Sequence, residues 1–333
     1  MGKRLKLLPF LVTLSVTSIF AKTPLPPLPV VLTQCGYQKL SCSKISKYPS
    51  SQLEERLELA KKRCKSGDGE GCLEGGVILA EVGNKKGAVP LFKKGCDLGN
   101  GESCYWLGWM ADEVNLSKEA FRLYQKGCRL GSGLACNSLG WFYWFGKKGV
   151  VKKSPSIAFT YFNRGCSLGS GDACNNAGVM EDNGEVQSPI DPAQYFLYAC
   201  SLNSGQGCGS LGYWFDGNGG EREPVDQLEA YFFYRLACRL GTGWGCGKAG
   251  EYQTQPLSHS PNYKLALLWL KKGCELEDGG ACSQLGQLYY EGKGVKRDLR
   301  KAYRYFQLGC KLGDFEFGCN MGSEVEEKLK EKE

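Results

Sequence analysis

Cysteine is the residue in this sequence whose type and spacing could do chemistry. Sixteen of its eighteen cysteines fall in pairs. Cys64 and Cys72, Cys96 and Cys104, Cys128 and Cys136, and Cys166 and Cys174 have seven residues between partners. So do Cys200 and Cys208, Cys238 and Cys246, and Cys274 and Cys282, while Cys310 and Cys319 have eight. Three chemistries use paired thiols. Structural zinc usually takes Cys-x2-Cys or Cys-x4-Cys together with histidine. This chain has wider gaps and a single histidine, His259, so no metal is expected, and no cofactor. A thiol nucleophile needs an unpaired cysteine of low pKa, and the even count argues against one. Disulfides remain. They persist outside the cytosol, and an even count at regular spacing reads as a framework. Cys35 and Cys42 are expected to pair with each other outside the main pattern.

The elements that position these pairs follow from the period. Successive pairs begin 32 to 38 residues apart, which is the signature of a repeat array. Between Ala281 and Leu312, Leu285, Leu288 and Tyr289 recur at helical spacing. Ala302, Tyr305, Phe306 and Gly309 do so again after a turn at Gly292 and Gly294. The unit is therefore two short antiparallel helices, A and B. The first cysteine closes helix B and the second opens the next helix A. A glycine-bearing turn such as 97–103 or 129–135 lies between them, which brings their Cα atoms to the expected separation of about 5.5–6 Å. Leu107-Gly108, Leu139-Gly140, Leu211-Gly212 and Leu285-Gly286 recur at one point of helix A, and Ala177-Gly178 and Ala249-Gly250 fill the same slot. Glycine there costs about 1 kcal/mol against alanine, so a neighbouring helix is expected to pass close by.

The ends differ from the array. Lys3, Arg4 and Lys6 precede an apolar run from Leu7 to Phe20 that is too short for a comfortable membrane span. Residues 1–21 read as a signal peptide cleaved after Ala21, with no stable membrane anchor. Residues 22–50 form a proline-rich spacer containing Pro24 to Pro29. Residues 51–322 form the solenoid of about seven to eight repeats, and 323–333 a charged cap. Net charge is +7, and +4 without residues 1–21. That is too mild and too evenly spread along the chain to suggest nucleic acid. Acidic partners remain open.

The stretches Leu139 to Gly146 and Leu285 to Gly292 have the pattern Leu-Gly-x-x-Tyr-x-x-Gly, and Lys301 to Phe306 reads Lys-Ala-x-x-Tyr-Phe. These motifs resemble Sel1-like repeats, relatives of the tetratricopeptide repeat. One cysteine pair per repeat narrows the resemblance to the secreted cysteine-rich proteins of Helicobacter. It covers about Gln52 to Gly322 and implies an all-α, right-handed α/α solenoid with one disulfide per repeat, assembled with help from periplasmic disulfide-forming machinery. It also implies a secreted or periplasmic protein. Such a protein would weakly hydrolyse or bind penicillin- and cephalosporin-type β-lactams, with a link to peptidoglycan, or would meet host cells. Repeat three carries an insertion at Lys147 to Ser156, and Glu251 to Pro261 departs from the pattern.

The sequence contains no convincing machinery for that hydrolysis. Serine β-lactamases use Ser-x-x-Lys, Ser-Asp-Asn and Lys-Thr-Gly. Ser41 to Lys44 matches the first, but about two such matches arise by chance in a chain of this composition, and this one lies in the spacer. Lys65-Ser66-Gly67 resembles the third but is the turn between Cys64 and Cys72, and Ser-Asp-Asn is absent. His259 stands alone in a loop-like stretch and reads as a surface histidine. The catalytic residues of any hydrolase are therefore unidentified.

Binding has more support. Aromatic residues crowd the A helices, which line the concave face in repeat arrays. Tyr143 and Tyr289 occupy the consensus tyrosine slot and are expected in the core. Trp109 and Trp141 share a slot with Gln287, and Trp106 shares one with Ser138, Asn176, Ser210 and Gln284. Slots that accept such polar residues are expected to be exposed. Trp106, Trp109 and Trp141 are thus expected to form an inner aromatic strip, with Asn137, Asn175 and Asn176 supplying amides and Trp214 a further ligand-binding candidate on the same face. Such a strip suits a peptide, a peptidoglycan fragment or a protein partner.

Overall fold

Three residues after the first cysteine of each pair, the backbone turns left-handed. In the computed structural model, which describes residues 50–217, 226–254 and 260–331, φ is positive at Gly67, Gly99, Gly131, Gly169, Asn203, Gly241, Glu277 and Gly313. At Gly99 and Asn100 the N–H groups bond back to Cys96 O and Gly95 O at 3.2 and 2.9 Å. This is the Schellman closure, in which one left-handed residue satisfies the last helical carbonyls. The next residue in the chain is a helix N-cap. Asn100, Ser132, Ser170, Ser204 and Asp278 each accept a backbone N–H three residues on. One four-residue corner thus ends helix B and starts helix A.

Sixteen helices result among the described residues. The B helices are α1 (Ser50–Lys65), α3 (Lys85–Asp97), α5 (Ser117–Arg129), α7 (Pro155–Ser167), α9 (Pro192–Ser201), α11 (Gln227–Arg239), α13 (Tyr263–Glu275) and α15 (Leu299–Lys311). The A helices are α2 (Gly69–Glu81), α4 (Gly101–Glu113), α6 (Gly133–Phe145), α8 (Gly171–Asp182), α10 (Gly205–Phe215), α12 (Gly243–Thr254) and α14 (Gly279–Glu291), and α16 (Phe317–Lys330) caps the end. The fold is an all-helical solenoid with a disulfide at every corner. The one β-bridge among the described residues joins Lys147 to Val151 in the repeat-three insertion.

Eight bridges close the corners, and each joins the neighbours that the spacing pairs. Cys64 is bonded to Cys72, Cys96 to Cys104, Cys128 to Cys136 and Cys166 to Cys174. Further along, Cys200 is bonded to Cys208, Cys238 to Cys246, Cys274 to Cys282 and Cys310 to Cys319. Their Cα–Cα separations are 4.4–4.7 Å. The expected separation was too long. Helix A begins about one turn before its own cysteine, so Cys72, Cys104, Cys136, Cys174, Cys208, Cys246 and Cys282 sit inside a helix. The bridge therefore draws two helical backbones together rather than spanning an open turn. No cysteine is free among the described residues. Cys35 and Cys42 lie outside them. So do the signal segment, the proline-rich spacer, Ser41 to Lys44 and His259.

The recurrent glycine of helix A meets the expected close approach. A Cβ on Gly140 would sit 2.4 Å from the Phe162 ring, and one on Gly178 2.7 Å from Phe196. These rings belong to helix B of the same repeat and are themselves fully or almost fully buried. Each repeat is thus keyed by an aromatic residue pressed onto bare backbone. Consecutive A helices also pack on one another all along the array, whereas consecutive B helices beyond α1 and α3 hardly meet. The stack therefore curves, with the A helices inside and the B helices outside.

Candidate binding face on the A helices

Two positions of helix A, two and five after its cysteine, are the ones expected to be exposed. In α4 these are Trp106 and Trp109, in α6 Ser138 and Trp141, and in α10 Ser210 and Tyr213. Trp106, Trp109, Trp141 and Trp214 are all half-buried. Trp106 stacks on Phe92 at 6.1 Å and meets Trp109 edge-on at 5.9 Å. Lys85 lies over the Trp109 ring at 4.9 Å and reaches Glu113 at 2.6 Å. One repeat on, Trp141 stacks on Phe145 at 5.3 Å, and Phe145 is 63% exposed. Trp144 is buried and donates its indole N–H to Glu185 Oε2 at 2.7 Å. No ring contact joins the Trp109 group to the Trp141 group among the described residues. The aromatics form separate clusters rather than one strip. Trp214 belongs to a third group and packs edge-on against Phe215 at 5.5 Å. Its indole N–H is buried without a hydrogen-bond partner.

The asparagines do not serve this face as expected. Asn137 is 1% exposed, and Asn175 and Asn176 are 8% exposed. Asn176 spends its amide on Asn137 Oδ1 at 2.9 Å. Ser138 is fully buried and donates to Leu134 O at 3.0 Å. The slot that half-exposes Trp106, Ser210 and Gln284 buries Ser138 and Asn176, so residue type alone does not set its exposure. Gln287 is half-buried, like the tryptophans that share its slot. Tyr143 and Tyr289, expected in the core, are half-buried instead. They stack on Tyr161 and Tyr305 of the following B helices, each at 5.6 Å.

Charge at the inner edge was not legible from motifs. Six of the seven A helices carry no basic residue, and none has one in its last turn. Several end in carboxylates, against the helix dipole. Burial pushes Glu81 up to about 7. Burial does the same to Glu102, also to about 7, although a hydrogen bond with Ser132 pulls it back. Asp216 accepts from the hydroxyls of Tyr234 and Tyr252, and burial raises both phenols. The Lys65-Ser66-Gly67 triplet is the first corner, where Ser66 Oγ donates to Arg63 O at 2.7 Å. It closes a helix end. No group of three or more metal-ligating residues exists among the described residues.

The sequence model of the Sel1 repeat matches residues 96–132, 133–170, 207–242, 249–278 and 280–314, more than half of the chain. The chain belongs to the Sel1 repeat family. The stretches left unmatched, including α8 to α9 and α2 to α3, nevertheless keep the Sel1 corner, with positive φ at Gly67 and Asn203. Among solved structures, a Sel1 repeat protein from Oxalobacter formigenes is 23% identical, with TM-score 0.61 over 72% of this chain and 98% of that one. The protective antigen c5321 of uropathogenic Escherichia coli, which displays an SLR fold, is 19% identical, with TM-score 0.51 over 80% of this chain and 66% of that one. Both show the same fold. Helicobacter pylori cysteine rich protein B is 29% identical over 38% of this chain and 90% of that one, with TM-score 0.32. No curated protein sequence matches the chain.

Proposed function

We propose that this Sel1 repeat protein is an exported binding scaffold whose A-helix face takes an extended peptide or an amide-rich cell-wall fragment. The observation that carries this reading is the Trp141–Phe145 stack, in which Phe145 keeps 63% of its surface in water. A large apolar surface held rigid by stacking, yet left uncovered, is the form of an interface anchor. The signal-like residues 1–21 and the disulfides agree with export into an oxidising compartment. Titration of peptidoglycan stem peptides against tryptophan fluorescence tests the reading. Saturable binding that falls at least about tenfold in W141A/F145A supports it, and no response from the wild-type protein removes it.

Weak β-lactam hydrolysis is the second reading. It rests on the resemblance to the cysteine-rich proteins. Nitrocefin turnover by the oxidised protein decides it: rates no faster than buffer end it, and turnover lost in W141A would put the chemistry on the A-helix face.

A further inference from the structure

Charge that looks evenly spread along the chain is sorted by the fold. The seven A helices hold eleven acidic residues and one basic residue, Lys248. The eight B helices hold seven acidic residues and twenty-three basic ones. Packed helices lie about 8–10 Å apart, close to the Debye length of about 8 Å at physiological salt. A large surface approaching the outer layer therefore meets mainly its cations.

Four of the eleven inner carboxylates pair with cations from outside the A helices. Glu74 pairs with Arg56 and Arg63, Glu113 with Lys85, Asp112 with Lys147, and Glu291 with Lys293. On the outer layer, Lys264, Arg300 and Arg304 are exposed and form no ion pair among the described residues. Beside them the outer layer breaks its polar pattern. Leu228 is 75% exposed and Phe232, one turn on, is 57% exposed. Leu268 is 60% exposed and holds the register of Phe232 on the next outer helix. Lys264 holds the register of Leu228 on that same helix, and Arg300 and Arg304 repeat both registers on α15.

We propose that the outer face of α11, α13 and α15 docks on an anionic phospholipid bilayer, with Phe232, Leu228 and Leu268 entering the headgroup boundary and Lys264, Arg300 and Arg304 meeting the lipid phosphates. Protruding apolar side chains beside unpaired, flexible cations match a broad, soft, negatively charged surface. No described helix is long and apolar enough to cross a membrane, so the contact is peripheral and reversible.

The test is sedimentation of the exported, oxidised protein with vesicles of pure phosphatidylcholine, or with about a third phosphatidylglycerol added. Binding to the anionic vesicles should be at least about tenfold stronger. Both F232S/L268S and K264Q/R300Q/R304Q should lower it about tenfold, with unchanged circular dichroism. W141A/F145A, on the inner face, should bind lipid as the wild type does. Equal binding to both vesicles overturns the proposal, as does full binding by F232S/L268S. Capture by soluble polyphosphate that competes with vesicles and ignores Phe232 would reassign the face to a polyanion and overturn the bilayer.

Discussion

Asn176 donates its side-chain amide to Asn137 Oδ1 at 2.9 Å, with both residues buried between α6 and α8. The bond crosses from one repeat to the next and locks their inner helices in register. Breaking it strands a buried carbonyl oxygen or amide, which costs about 1–3 kcal/mol. Asn176→Ala should lower the urea midpoint accordingly. A double-mutant cycle with Asn137→Ala should show coupling, and additive effects would mean that the bond does not stabilise the stack.

Glu277 is the one corner residue with φ of +62° that is neither glycine nor asparagine. A left-handed conformation is strained for a side chain of that size. Glu277→Gly should therefore stabilise the oxidised protein by about 1 kcal/mol, less what the freer unfolded chain regains. Thermal melts decide it, and a lower Tm refutes the strain account.

Gly140 is a case where two effects oppose. Alanine would gain about 1 kcal/mol of helix propensity. Its Cβ would press on Phe162 at 2.4 Å, and such overpacking costs about 1–3 kcal/mol. Gly140→Ala should destabilise, measured by denaturant unfolding.

Burial holds Glu102 at about 7 in the folded protein, against 4.5 for the free group. A raised acid adds stability that is complete below the unfolded value and is lost as pH rises through the folded one. Between pH 4.5 and 7, stability from this group should fall by up to about 3 kcal/mol. Glu102→Gln should flatten that slope and melt higher than wild type at pH 8. An unchanged slope would show that the carboxyl is hydrated.

Each bridge closes a short loop and in the loop-entropy account stabilises by about 2–3 kcal/mol. Cys128→Ser with Cys136→Ser should cost that much, while the neighbouring corners, Cys96 with Cys104 and Cys166 with Cys174, still oxidise. Mass mapping checks the pairing, and denaturant unfolding the magnitude.

Much of this was legible in advance. The corners and the bridges depend on residues within about ten positions of one another, the close approach at the helix-A glycine on residues within a single repeat, and those contacts recur with the repeat. The exposure of the inner face was not. Trp106, Ser138 and Asn176 share one slot, yet the tryptophan is half-exposed and the other two are buried, because packing between helices, and not residue type alone, decides what is covered. The asparagines meant for a ligand are spent on each other for the same reason.

By itself, then, the sequence determined the repeat unit, its reversals and its staples, since local spacing is enough to choose them. The tertiary structure decided which faces the charges share and which aromatics stay wet. Lysines and glutamates alternate too loosely along the chain to reveal a side. Only stacking every B helix outward and every A helix inward turns a mild net charge into a basic outer surface beside an acidic inner one.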